Sequence, residues 1–139
     1  MTNEELKQIL LSTRTIAAVG LSSNPEKESF AIVEYLQQQG YRIFPVNPTA
    51  SEILGEKTYP DLESIPEKVD VVQLFRKSED VPPFVDSAIN IGAKVVWMQV
   101  GIENEDAAKK ARAAGLTVVM NACMRVTHRM LIGPKLMKL

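Results

Sequence analysis

Three times in this chain a helical stretch stops at a glycine and gives way to an apolar run: at Gly40 before Tyr41, Gly92 before Ala93, and Gly115 before Leu116. A glycine just past a helix takes the left-handed conformation that closes the helix and redirects the chain. The runs that follow are "YRIFPVN", "KVVWMQV" and "LTVVMN", and two more, "TIAAVG" and "DVVQLF", bring the set to five. They are mostly continuous rather than alternating, which suits strands covered on both faces, as in a parallel sheet. Repeated helix–glycine–strand units predict a wound α/β domain.

The stretches ahead of those glycines carry helical periodicity. Phe30, Val33 and Leu36 share one face of the first. Phe84, Ala88 and Ile91 share a face of the second, whose opening turn holds Pro82 and Pro83. Ala107, Ala111 and Ala114 line the third, where alanine lets a helix lie close to a sheet. Near the N-terminus, Thr2 and Glu5 form a capping box for a short helix carrying Leu6, Ile9 and Leu10. The segment "NPTASEILGEKTYPDLESIPEKV" is interrupted by Pro48, Gly55, Pro60 and Pro66, and reads as a long connection with one short helical stretch. Crossovers between parallel strands are right-handed. The expectation is an α/β, Rossmann-like doubly wound parallel sheet of about five strands, order 3-2-1-4-5, with helices on both faces. One domain is expected over residues 1–139.

Bulk properties narrow what such a chain does. Hydrophobic residues at 45% and charged residues at 24% of 139 support a real core rather than disorder. A net charge of -1 argues against broad binding to nucleic acid or an anionic membrane, though not against a local basic pocket. No apolar run approaches the roughly 20 residues that span a bilayer. The acidic, amphipathic start "MTNEELKQILLS" is not a signal peptide. Cys123 is the sole cysteine, which removes an internal disulfide and a cysteine-built metal site. A soluble, cytoplasmic protein is expected.

In the expected topology the ligand crevice lies outside the carboxyl ends of the first and fourth strands. Five stretches meet there: Gly20 to Lys27, Asn47-Pro48, Phe75-Arg76-Lys77, Gln99-Val100-Gly101, and Asn121 to Cys123. The first stands where dinucleotide folds place G-x-G-x-x-G, yet only Gly20 of that fingerprint is present. No acid ends the second strand to bind a ribose diol, and no Gly-Lys-Ser or Gly-Lys-Thr loop occurs. What remains is an anion site of backbone N–H groups at the next helix start, the hydroxyls of Ser22, Ser23 and Ser29, and the Lys27 cation. The plainer alternative is turn chemistry, with Ser29 as a helix cap. Convergence of Asn47, Arg76, Lys77 and Gln99 on the same crevice favours the anion site.

The stretches "AAVGLSSNPEKESF", "YRIFPVNPTASEILGEKTYPDLESIP", "VDVVQLFRKSEDVPPFVDSAINIGAKVVWMQVGI" and "NACMRVTHRML" together resemble the small CoA-binding proteins. These in turn resemble the nucleotide-binding domain of the succinyl-CoA synthetase α subunit. The resemblance implies coenzyme A, or an acyl-CoA, stretched across the crevice with its diphosphate at the first loop. By position, Gly20, Leu21, Ser22 and Ser23 would form the phosphate turn, and Asn47 and Pro48 would flank the adenosine. Phe75 and Arg76 would line the wall, while Gln99, Val100 and Gly101 would run beside the pantetheine arm. The missing acid after the second strand suits a ligand with a ribose 3′-phosphate, which Lys27, Arg76 or Lys77 would neutralise. The synthetase's catalytic histidine lies in a second domain, to which nothing here corresponds, so the resemblance implies binding without ligase chemistry.

Cys123 and His128 are the sole Cys and His, and as a thiol–imidazole pair they would make a nucleophile. The plainer reading is a buried cysteine and a packing or surface histidine. Even so, the thiol is placed on the crevice side. Trp97 and Met98 read as core, and Glu103, Glu105 and Asp106 as acids at a helix start. The basic tail "MRVTHRMLIGPKLMKL" suits packing on its own domain, a second copy or a partner protein better than nucleic acid or membrane. The first expectation is a binding module for CoA, with no catalytic residues and no metal. The alternatives are an NAD(P)-dependent oxidoreductase or a Cys123-based acyl-transfer or redox enzyme on the same scaffold, and a structural subunit with a vestigial crevice.

Overall fold

Thr2 and Glu5 close the capping box: the Glu5 N–H donates to Thr2 Oγ1 at 3.1 Å and the Thr2 N–H to Glu5 Oε1 at 3.3 Å. They start helix α1, Asn3–Ser12, in the computed structural model, which describes residues 1–134. Residues 135–139 of the basic tail lie outside the described residues. Five parallel strands follow as read: β1 (Thr15–Val19), β2 (Arg42–Val46), β5 (Val71–Leu74), β6 (Val95–Met98) and β7 (Thr117–Val119). Between β2 and β5 a small antiparallel ribbon, β3 (Glu52–Ile53) with β4 (Glu56–Lys57), and a 3-10 turn at Leu62–Ser64 make up the long connection. The other helices are α2 (Glu28–Gln38), α3 (Val81–Asn90), α4 (Glu105–Ala113) and α5 (Met124–Leu131).

The three glycine stops share one geometry. Beyond each glycine, the next N–H reaches back five residues to close the helix: Tyr41 to the Leu36 carbonyl (3.3 Å), Ala93 to Ala88 (3.0 Å) and Leu116 to Ala111 (3.0 Å). Gly40, Gly92 and Gly115 carry φ of 100°, 71° and 92°, the left-handed region this closure needs. Tyr41, Ala93 and Leu116 then turn inward and are buried.

Both faces of the sheet are covered. Ala17, Val19, Phe44, Val72, Val96 and Met98 pack with α3 and α4, while Ile16, Ala18, Ile43, Val71 and Trp97 pack with α1, α2 and α5. The strands are thus buried on both sides, which is why their sequences do not alternate. Trp97 and Met98 are fully buried core, as expected, and Trp97 Nε1 donates to the Ala122 carbonyl at 2.8 Å.

The strand order differs from the expected 3-2-1-4-5. It is β2-β1-β5-β6-β7, so the five main strands run 2-1-3-4-5 and the switch point lies between the first and third. The reason is the connection after β2, which carries no crossover helix. It folds along the outer edge of β2, where the Tyr59 N–H donates to the Pro45 carbonyl (2.9 Å) and the Asn47 N–H to the Tyr59 carbonyl (3.0 Å). With that edge taken, β5 pairs with the free edge of β1.

Candidate functional site

Because all five strands are parallel, their carboxyl ends meet on one side of the molecule whatever their order. The loop after β1 opens with Gly20 at φ 84°, and a Cβ there would stand 2.9 Å from Arg76 Cδ. The left-handed backbone conformation favours glycine, and a Cβ would also force the Arg76 side chain to shift. Leu21 points into the core and is fully buried. Its carbonyl accepts from Asn47 Nδ2 at 3.1 Å, while Asn47 Oδ1 receives the N–H groups of Thr49 (2.8 Å) and Ala50 (3.0 Å). Asn47 therefore ties the end of β2 to the first loop.

The Ser22 N–H donates to Ser29 Oγ at 3.1 Å and the Asn24 N–H to Ser22 Oγ at 3.0 Å. Ser29 is not the cap: α2 begins at Glu28, and Ser29 bonds back to the loop from inside its first turn. Lys27 occupies the cap position and supplies no side-chain acceptor, whereas Thr2 and Asn104 accept at the starts of α1 and α4. The start of α2 thus has no side-chain cap, and Glu28 and Ser29 of its first turn border the crevice.

Two clefts meet at Gly20. One, about 400 Å³, runs between the ends of β1 and β2 and is walled by Ser22, Asn47, Pro48, Pro60, Arg76 and Phe84. Arg76 lies 3.8 Å from Asp80 and its guanidinium 5.9 Å from the centre of the Phe84 ring. The other, about 240 Å³, opens between α2 and α5 and is walled by Ser29, Ile32, Phe75, Gln99, Val100 and Cys123. Ser23, Lys27 and Lys77 are exposed and line neither cleft. Asn121, at φ 55°, accepts the Gly101 N–H at 2.7 Å, so it and Gly101 shape the rim. A larger cleft of about 700 Å³, near Met1, Leu6 and β7, lies away from the first loop.

Gln73, which the sequence reading passed over, supports the smaller cleft from beneath. It is fully buried within β5, and its Nε2 donates to Gln99 Oε1 at 3.1 Å. The same oxygen accepts the Met124 N–H at 3.0 Å. Among the described residues Gln73 Oε1 has no partner, an arrangement that costs about 1–3 kcal/mol in a core. A lone amide inside an apolar run was the available signal.

Cys123, half-buried, is the cap residue of α5 on the crevice side. His128 is five residues further along, about 7 Å of helical rise away. It is buried, with Nδ1 2.9 Å from the Tyr35 hydroxyl and its ring edge-on to Tyr35 and Tyr41. His128 is thus packed in the interior against the two tyrosines. Burial, and the nearby Tyr35, push the Tyr41 hydroxyl up to about 12 while it donates to the Leu10 carbonyl at 2.7 Å. Among the described residues, no three His, Cys, Asp or Glu side chains gather as metal ligands would, and no helix is long and apolar enough to cross a membrane.

A doubly covered parallel sheet with a glycine turn at its switch point defines a Rossmann-like α/β domain. Residues 14–129 match the family described as "CoA binding domain", and the chain belongs to that family. It is 40% identical to the uncharacterized protein YneT of Bacillus subtilis over 89% of this chain and 92% of that one. A solved structure of a hypothetical protein from Pyrococcus horikoshii superposes with a TM-score of 0.93 at 44% identity, over 96% of this chain and 94% of the other. An ADP-forming acetate–CoA ligase of Archaeoglobus fulgidus is 34% identical over 61% of this chain, which spans only 13% of that ligase.

Proposed function

We propose that this chain binds coenzyme A or an acyl-CoA across the two clefts, and holds it rather than transforming it. The observation that carries this reading is that clefts of about 400 and 240 Å³ join at a glycine turn facing an uncapped helix start. CoA is an elongated ligand with a diphosphate between two dissimilar ends. Gly20, Ser22, Ser23, Ser29 and the first N–H groups of α2 would hold the diphosphate, with Lys27 nearby. The adenosine would lie against Asn47 and Pro48. Of the three cations considered for the 3′-phosphate, Arg76 alone lines a cleft, and its ion pair with Asp80 is long at 3.8 Å, so it is the one assigned. Phe75, Gln99, Val100, Gly101, Asn121 and Cys123 would border the arm. Family membership supports the ligand, and the small share of the ligase that this chain spans lends no support to ligase chemistry. The engagement of His128 with Tyr35 favours binding over Cys123-based catalysis.

The test is thermal unfolding with CoA, NAD and NADP in parallel. A ligand at 100 times its dissociation constant stabilises the fold by about 2.7 kcal/mol, which for a domain of this size raises Tm by about 10 °C. CoA is expected to give that rise. No shift with millimolar CoA beside a clear shift with NAD would overturn the reading in favour of an oxidoreductase.

A further inference from the structure

The chain fixes not only where Gln99 lies but which of its two amide atoms is held by its neighbours. A backbone N–H can only donate, so the Met124 N–H at 3.0 Å identifies the Gln99 atom beside it as oxygen. That oxygen can only accept, so the Gln73 atom 3.1 Å away must be nitrogen. Two donors thus hold Oε1, and the polar capacity left to Gln99 is its Nε2. Among the described residues no group receives Nε2, although Gln99 is only 4% exposed and forms part of the smaller cleft's wall.

We propose that Gln73 and the first N–H of α5 lock the Gln99 amide so that Nε2 donates to a carbonyl oxygen of the ligand's thiol-bearing arm. This rests on the CoA reading and gives the ligand a direction. Beyond Ser29 at the glycine turn, the smaller cleft offers the fixed Gln99 donor among Ile32, Phe75 and Val100. Such a cleft takes a neutral chain with carbonyl acceptors, and the phosphorylated end belongs with Arg76 in the other. Gln73 is a positioning residue. As a core residue it is poorer than methionine, because its Oε1 is buried without a partner among the described residues; what it supplies is the orientation of its neighbour. The acceptor is either an amide carbonyl of the arm or the thioester carbonyl of an acyl-CoA.

Titration calorimetry with CoA, acetyl-CoA and adenosine 3′,5′-bisphosphate, which lacks the arm, tests this on the wild type and two variants. Gln99→Glu keeps an oxygen for Met124 and Gln73 and replaces only the donor. It should weaken CoA by roughly tenfold or more and leave the bisphosphate unchanged. Gln73→Met should weaken CoA several-fold with the bisphosphate again unchanged, and should not lower Tm. A greater loss for acetyl-CoA than for CoA assigns the thioester carbonyl, and equal losses assign an arm amide; either supports the donor. Independently of any variant, the wild-type Gln99 side-chain amide signals in a ¹⁵N spectrum should move with CoA and not with the bisphosphate. Unchanged CoA affinity in Gln99→Glu, stationary Gln99 signals, or parallel losses for both ligands would overturn the donor role alone. A wild type that binds neither CoA nor the bisphosphate overturns the CoA reading and the donor role together.

Discussion

Asp70 works at the end of the sheet opposite the clefts, and its carboxylate shows how few atoms hold the strand starts together. Oδ2 accepts the N–H groups of Arg14 (2.9 Å) and Thr15 (3.2 Å), and Oδ1 lies 3.7 Å from Lys94 Nζ. The loops entering β1 and β6 are thus tied to the residue before β5. Burial pushes the carboxyl up, but the hydrogen bonds from Arg14 and Thr15 and the charge of Lys94 outweigh it, so its pKa lies below the ordinary value. With a depressed folded pKa, protons bind more readily to the unfolded chain. The stabilisation is therefore complete above the unfolded value, about 3.9, and is lost as pH falls through the folded one. Asp70→Asn should lower stability by about 1–3 kcal/mol at neutral pH. Urea midpoints followed from neutrality into acid should then decline less steeply for the variant than for the wild type; identical slopes would remove Asp70 as a source of acid sensitivity. Single residues were unevenly legible. Gly20 and Arg76 were visible because chain order placed them at strand ends. Gln73 was hidden by the apolar run around it, and its effect on Gln99 depends on the register of β5 against β6.

At the scale of elements, helix stops were plain in the sequence because glycine at C′ answers a local steric demand. Strand order was not, because it depends on where a long connection goes. One clue was present: Pro45 has no N–H to give, which suits an edge strand and disfavours the internal place that 3-2-1-4-5 assigned to β2. The pairing of Tyr59 along that edge left no periodic trace. The start of α2 was legible as an anion site in kind, but Ser29 acts from within the helix, where it draws the Ser22 N–H toward the helix start. Ser22→Glu tests the element directly, since its carboxylate would compete for the place of the diphosphate at a helix N-terminus. CoA affinity should fall by at least about tenfold, while loss of the Asn24 hydrogen bond costs the free protein only about 1 kcal/mol. Unchanged affinity in a folded variant would remove the diphosphate from this turn.

For the whole molecule, the error in strand order cost the candidate site very little. Parallel strands deliver all their carboxyl ends to one side, so exchanging neighbours moved the switch point from the first-and-fourth gap to the first-and-third without dispersing the loops. What changed is which loop faces the β1 turn: β5 now lies beside β1, which brings Arg76 against Gly20 and divides the crevice into two clefts at that contact. A ligand that spans them must touch loops from separate strands at once, and hydrogen exchange reads this without any substitution. Saturating CoA should slow exchange together at the loop of residues 20–29, at Arg76 beside the larger cleft, and at Val100 beside the smaller one. Adenosine 3′,5′-bisphosphate should protect the first two and leave Val100 as in the free protein, since that ligand ends before the arm begins. The sheet amides already held in the ladder should change little with either ligand. Protection by CoA confined to one cleft would mean that the ligand does not cross the Gly20–Arg76 contact, and the spanning arrangement would be wrong even if CoA binds.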